Sequence, residues 1–218
     1  GISVIECTQG IAGPYCAMML GDMGAEVLKI EEPTHGDDTR AWAPFQDGVS
    51  SFFLGMNRSK KSVTLDLKTP EGAEALRRLI GTADVLIENF RPGSLKKLGF
   101  DYDRVREMNP RLVFCSITGY GQQGPKRALP GYDAVVQAES GLMHVTGHAD
   151  GPPTRVGVAI TDYLAGLYAM NGILLALRNR DETGLGQHVD IALLDAMTTA
   201  PALPANVLFA TGQELGRE

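Results

Sequence analysis

One carboxylate in this sequence stands where a charge is costly. Asp162 lies in Val156-Gly157-Val158-Ala159-Ile160-Thr161-Asp162-Tyr163-Leu164-Ala165-Gly166, between an apolar run and a long apolar helix. Taking an ionised carboxylate out of water is unfavourable unless it has a partner or a task. The task in question would be nucleophilic attack or proton transfer. The structural alternative is that Thr161 or Asp162 caps the following helix by accepting its free N–H groups. These eleven residues alone favour the cap.

Other chemistries find less support. His144 and His148 are four apart, but Gly147 intervenes and no glutamate follows His144, so they read as loop histidines and not as zinc ligands. No G-x-S-x-G turn offers a serine nucleophile. Thr8-Gln9-Gly10-Ile11-Ala12-Gly13 has two glycines three apart with Pro14 at the helix start, and Glu31 and Glu32 lie near where a ribose-binding acid would sit. The dinucleotide fingerprint G-x-G-x-x-G is not met. A helix N-terminus there can still receive an anion.

Basic residues gather around two strands. Arg58, Lys60, Lys61 and Lys68 flank one; Arg91, Lys96 and Lys97 follow another that ends in Glu88-Asn89-Phe90. Singly, each is a solvated surface charge. Together at strand ends of a parallel sheet, with Asn89 as an amide and Phe90 as an aromatic plate, they would hold an adenine and phosphates.

The elements that must position these groups alternate. Short apolar strands are predicted at residues 2–7, 26–30, 62–65, 84–89, 111–117 and 187–192. Between them fall helices at residues 17–23, 102–108, 132–143 and 162–178. A further helix is opened by Thr69-Pro70-Glu71, with Thr as cap and Pro in the first turn. The first strand, helix and strand form a βαβ unit within about thirty residues. The expected class is therefore α/β: a doubly wound, mostly parallel, Rossmann-like sheet with helices on both faces.

The 218 residues suffice for a substantial core, and the 44% apolar and 21% charged composition is that of an ordinary globular protein. A net charge of −6 argues against a general nucleic-acid binder, though one polyanionic small ligand is compatible with a local basic cluster. Cys7, Cys16 and Cys115 are odd in number and unpaired by motif, so they read as buried hydrophobes in a reducing, cytoplasmic setting. No signal peptide is recognisable, and no apolar run reads as long and uninterrupted enough to span a membrane. Both ends look cut, because Gly1 leads straight into a strand and the last residues follow a helix without a closing element.

Several ordered segments resemble one family. They are Ala12-Gly13-Pro14, Gly24-Ala25-Glu26-Val27-Leu28-Lys29-Ile30-Glu31, Gly36-Asp37, Leu65-Asp66-Leu67-Lys68, Asp84-Val85-Leu86-Ile87-Glu88-Asn89-Phe90-Arg91-Pro92-Gly93, Gly119-Tyr120-Gly121, Gly131-Tyr132-Asp133 and Thr183-Gly184-Leu185-Gly186-Gln187. The chain is similar to the N-terminal part of the family III CoA-transferases, the group that includes formyl-CoA:oxalate and carnitine CoA-transferases and α-methylacyl-CoA racemase.

The resemblance implies that Asp162 is the catalytic nucleophile, passing CoA between carboxylic acids through a mixed anhydride and an aspartyl-CoA thioester. It carries the CoA contacts onto Ile11, Ala12, Leu65, Asp66, Leu67, Lys68, Asn89, Phe90, Arg91, Lys97, Pro130, Gly131 and Tyr132. Coenzyme A is implied as a co-substrate, with no tightly bound cofactor and no metal. The partners implied are an acyl-CoA and a small carboxylic acid, of the dicarboxylic kind by preference, together with a second copy in an interlocked homodimer, and neither nucleic acid nor membrane. Residues 1–200 would form the CoA-binding domain and residues 201–218 the start of a linker to a smaller domain.

Three departures bear on specificity. Ile11 stands where the formyl-CoA branch has glutamine, which speaks against oxalate. Glu32 stands where that branch has a basic residue, so one phosphate contact is expected either to be missing or to be supplied by Arg40. Tyr132 stands where the racemase branch has histidine, and a phenol of pKa about 10 is a poor proton acceptor at neutral pH. The racemase is therefore the alternative, and the transferase the reading preferred. Arg40, Arg155 and Gln137 are candidates to face the acceptor carboxylate.

Overall fold

In the computed structural model, which describes residues 1–217, runs of Val, Ile and Leu form the strands of one parallel sheet. Its strands are β1 (Ser3–Cys7), β2 (Glu26–Glu31), β5 (Lys60–Thr64), β6 (Val85–Glu88), β7 (Val113–Thr118) and β8 (His188–Ala192), in the spatial order β5-β2-β1-β6-β7-β8. Every neighbouring pair is parallel. The chain winds outward from β1 to β2 and β5, then crosses back to β6 and continues outward to β8. That reversal puts a topological switch point between β1 and β6, where ligands of open α/β sheets bind.

Two apolar layers sandwich the sheet. On one face, α1 (Ala12–Asp22), α7 (Ile160–Thr183) and α8 (Leu193–Thr198) pack with Val4, Val85, Val113 and Cys115. On the other, α3 (Pro70–Thr82), α4 (Ser94–Leu98) and α5 (Tyr102–Met108) cover Ile5, Leu86 and Phe114. The doubly wound expectation holds. Thr69 caps α3 as predicted, its Oγ1 accepting from Gly72 N at 3.1 Å, with Pro70 in the first turn. The three cysteines are buried and unpaired, and burial pushes each thiol upward.

The structure corrects the local reading in places. A two-stranded hairpin, β3 (Phe45–Gln46) with β4 (Val49–Ser50), and α2 (Ser51–Asn57) occupy a stretch left without regular structure, Ser50 capping α2. The helix expected over 132–143 is α6 (Asp133–Glu139), stopped before Gly141 (φ +83°), and a 3-10 turn, Leu142–Val145, follows. α7 starts two residues early and runs to Gly184, whose φ of +76° ends it. By length and hydropathy α7 would suffice to cross a membrane, contrary to the expectation for this chain, yet its Ala165, Ala169 and Ile173 face lies fully within the core. The last helix, α9 (Ala202–Thr211), lies within the stretch read as the start of a linker.

α7 approaches α1 closely because Gly166 lacks a side chain. A Cβ there would meet Ala12 O and a Tyr15 ring carbon at 2.9 Å each. This contact brings the first turn of α7, which carries Asp162, against the start of α1.

Candidate active site

A cleft of about 470 Å³ opens over the C-terminal ends of the central strands. Its lining brings together Ile11 and Ala12, Asn89, Phe90 and Arg91, Pro130, Gly131 and Tyr132, and Asp162. Four separate stretches of sequence therefore converge at the switch point. Leu65, Asp66, Leu67, Lys68 and Lys97 lie outside this lining: Leu65 and Leu67 pack against the second core, while Asp66, Lys68 and Lys97 are exposed.

Each wall has a cause. After β1 and β6, Asn89 ties the two crevice loops together, accepting from Gln9 N (3.0 Å) and donating to Gln9 O (2.7 Å). Glu88, at the end of β6, accepts from Phe90 N at 2.9 Å. Burial pushes the Glu88 carboxyl up to about 7. The wall made by Pro130, Gly131 and Tyr132 depends on two glycines in contact: a Cβ on Gly131 would sit 2.2 Å from Gly119 Cα, and one on Gly119 would sit 2.4 Å from Gly131 Cα. No larger residue fits at either position without moving the turn.

Beneath the crevice lies a buried knot of charge. Lys29 Nζ is 2.8 Å from both Glu6 Oε1 and Asp37 Oδ2, and Lys60 Nζ is 2.8 Å from Glu6 Oε2. Lys29 also donates to Thr8 O at 2.8 Å. Asp37 in turn accepts from Thr39 N and Oγ1 and from Gly10 N. The knot thus fixes the turn after β1 and the loop after β2, whose Asp38 and Trp42 also line the cleft.

These pairings overturn part of the basic-cluster reading. Arg58 pairs with Asp22 and Lys61 with Glu26, at the end of the sheet away from the crevice. Lys60 is buried against Glu6, and burial lowers its pKa despite that partner. Arg40 is not free for a phosphate or an acceptor acid: it binds Glu31 through Nε (2.7 Å) and Nη2 (2.6 Å) and stacks 3.7 Å over Phe53. Burial alone would raise Glu31, but the Arg40 and Ser62 hydrogen bonds outweigh it and bring the carboxyl down to about 2. Glu32 turns its carboxylate onto the N–H groups of Thr34, His35 and Gly36. Arg155 is exposed and outside the lining, leaving Arg91 as the cation among the lining residues.

Asp162 contrasts with Glu6, Asp37, Glu31 and Glu32, each of which is held by cations or N–H donors. It is the third residue of α7, whose cap position is Ala159, so neither Thr161 nor Asp162 caps the helix. Asp133 accepts from Thr161 N at 2.9 Å instead. Burial pushes the Asp162 carboxyl up to about 7, and the Asp133 charge adds to the rise. The first helical turn still favours an anion through the helix dipole, so the ionised form is within reach near neutrality. An unpaired carboxylate of this kind, beside a cleft, is a nucleophile or a base in waiting.

Sequence reasoning gave Asp133 no role and put Gln137 at the acceptor. Gln137 is fully buried and bonded to Asp133 and to the segment before α7, so it does not face the cleft. The i, i+4 spacing of Asp133 and Gln137 on a helix was the signal that could have paired them. Among the described residues no cluster of three or more His, Cys, Asp or Glu side chains is placed to hold a metal.

Comparison with known proteins places the chain among relatives of one family. A succinate–glutarate CoA-transferase of Agrobacterium fabrum is 48% identical over 209 residues, covering 93% of this chain and 52% of that protein. A human succinyl-CoA:glutarate CoA-transferase is 45% identical over 211 residues, covering 96% of this chain and 48% of that protein. The crystal structure of a CAIB/BAIF family protein from Brucella suis superposes with a TM-score of 0.96 at 43% identity, over 100% of this chain and 58% of that one. The chain thus spans about half the length of the curated relatives it matches. The family model for CoA-transferase family III matches residues 1–218 throughout, and the chain belongs to that family.

Proposed function

We propose that the whole protein transfers CoA between an acyl-CoA donor and a dicarboxylic acid, with Asp162 as nucleophile. The observation that carries this reading is a half-buried, unpaired Asp162 in the cleft formed by the loops after β1 and β6. The relatives named for succinate and glutarate support the dicarboxylate class.

In this reading an Asp162 oxygen attacks the thioester carbonyl, forming a mixed anhydride and expelling CoA thiolate. The thiolate then attacks the aspartyl carbonyl, releasing the first acid and leaving an aspartyl-CoA thioester. The acceptor carboxylate attacks that thioester, giving a second anhydride and thiolate. Attack of the thiolate on the acceptor's acyl carbonyl restores the Asp162 carboxylate and releases the new acyl-CoA. A carboxylate suits the role because it is both a nucleophile and a fair leaving group. The intermediates hydrolyse easily, so water must be kept out, and Ile11, Trp42 and Leu193 give the cleft apolar walls. Residues 1–200 would act as the CoA-binding domain, within a cytoplasmic homodimer.

Mass spectrometry of the full-length protein after incubation with succinyl-CoA and hydroxylamine tests the reading. A hydroxamate on Asp162 is the expected result. An unmodified Asp162, in protein shown to bind CoA, would move the assignment to proton transfer or to binding alone.

A further inference from the structure

Asp162 is carried on a segment with little regular structure before it. Residues 152–156 form no helix or strand, and α7 begins at Ile160. Something other than secondary structure must fix where the first turn of α7 points. One side chain from another helix reaches this segment at two places and touches its third support as well.

Gln137, on α6, has no solvent exposure. Its Oε1 accepts from Val156 N at 2.8 Å, and its Nε2 donates to Asp133 Oδ2 at 2.7 Å and to Val158 O at 3.4 Å. Asp133 passes the restraint on: its other oxygen, Oδ1, accepts from Thr161 N at 2.9 Å. The amide orientation is fixed by this network, because only the oxygen can accept from Val156 and only the nitrogen can donate to a carboxylate. A buried amide that satisfies three partners at once is rigid, and it costs stability if any partner is lost.

We infer that Gln137 is a positioning residue for the transfer reaction: its amide clamps the Val156–Val158 segment and holds the Asp133 carboxylate on Thr161 N, and so sets the attack geometry of Asp162. The inference rests on the nucleophile reading above. Misplacing a reacting group by about 1 Å can cost on the order of a hundredfold in rate. Gln137 touches neither cleft nor substrate, so its loss should act on the chemical step and spare CoA binding.

The test uses the full-length protein and two variants, Gln137→Leu and Gln137→Glu, assayed with succinyl-CoA and glutarate. Gln137→Leu is expected to lower kcat on the order of ten- to a hundredfold, with KM for succinyl-CoA changed by less than about twofold. Gln137→Glu keeps the shape and an acceptor for Val156 N, but it places a second carboxylate against Asp133. At 2.7 Å the two carboxyls would share one proton, which restores the clamp and should recover kcat relative to Gln137→Leu. As that proton leaves at higher pH the clamp opens, giving an alkaline fall in kcat that a merely structural role would not produce. Should the leucine variant fail to fold, the near-isosteric glutamate variant decides alone. An unchanged kcat in Gln137→Leu, or a Gln137→Glu profile without the added alkaline fall in kcat, would overturn the inference. Hydroxylamine trapping separates this from failure of the parent reading: an unmodified Asp162 in the parent protein sinks both, whereas equal modification rates in parent and variants sink only the clamp.

Discussion

Two groups of carboxylates lie within the same fold and meet opposite fates. Glu6 and Asp37, beneath the crevice, are fully withdrawn from water, and each has an ammonium 2.8 Å away. Asp162, at the cleft, has another carboxylate for its charged neighbour, and its pKa rises to about 7. Burial acts on both. What differs is the compensation: in the knot, burial would lower Lys29 but Glu6 and Asp37 overcome it and leave it raised, while among the described residues no cation offsets the burial of Asp162. A compensated charge is an architectural joint, and an uncompensated one keeps free energy available for chemistry.

The comparison breaks most visibly at Lys29. Lys29→Met would leave Asp37 buried with no cation and Thr8 O without its donor. Breaking a buried pair from one side typically costs about 3–5 kcal/mol. Urea denaturation of the full-length protein should show a loss of that order. A loss below about 1 kcal/mol would mean that Lys60 and rearranged hydrogen bonds take over, and that the knot is not a joint.

Removing Asp162 should do the reverse. An acid whose pKa is raised by folding binds its proton more tightly in the native state. Its ionisation therefore erodes stability as pH rises from about 4 towards 7, and the full penalty persists above 7. Asp162→Asn removes that penalty, so the variant should be more stable than the parent by about 1–3 kcal/mol at pH 8. The gain should shrink as pH is lowered towards 4. Transferase turnover should be lost at every pH, with CoA affinity retained. Denaturant midpoints at pH 8 and pH 5 check the sign, and equal midpoints for the two proteins at pH 8 would remove the argument that Asp162 is an uncompensated charge.

How far these two regions could be read beforehand follows from the same contrast. Backbone-level features were legible: the alternation of strands and helices, the Thr69 cap, and the convergence of residues 89–91 and 11–12 at a sheet crevice all follow from local pattern and parallel topology. Side-chain partnerships were not. Lys60 and Arg40 read as free basic groups because Lys60 meets Glu6, 54 residues away, only through the register of β1, β2 and β5, and Arg40 meets Glu31, 9 residues away, only because the loop after β2 turns back on the strand. Gln137 was misplaced for the same reason, since its direction depends on how α6 packs under the segment before α7. Asp162 drew notice as a charge among apolar residues, but its local pattern favoured a helix cap, and only the family resemblance singled it out as the nucleophile. Its charged neighbour Asp133 is 29 residues away and gave no such sign.

Asp133 sharpens the comparison with the smallest change. Two effects on Asp162 meet in it: its charge raises the Asp162 pKa, and its Oδ1 holds Thr161 N. Asp133→Asn removes the charge and keeps an oxygen able to accept from Thr161, so the two effects separate. If attack requires ionised Asp162, the acid limb of kcat/KM for the parent should fall near pH 7. In Asp133→Asn that limb should move to lower pH by less than about one unit, because burial, the larger cause, is untouched. At pH 6 the variant would then hold a larger fraction of its nucleophile ionised, and its deficit relative to the parent should be smaller there than at pH 8. A limb that stays in place while kcat falls would assign Asp133 to positioning alone. A limb that moves upward would contradict the electrostatic account of why this carboxylate, and not those of the knot, is proposed as the nucleophile.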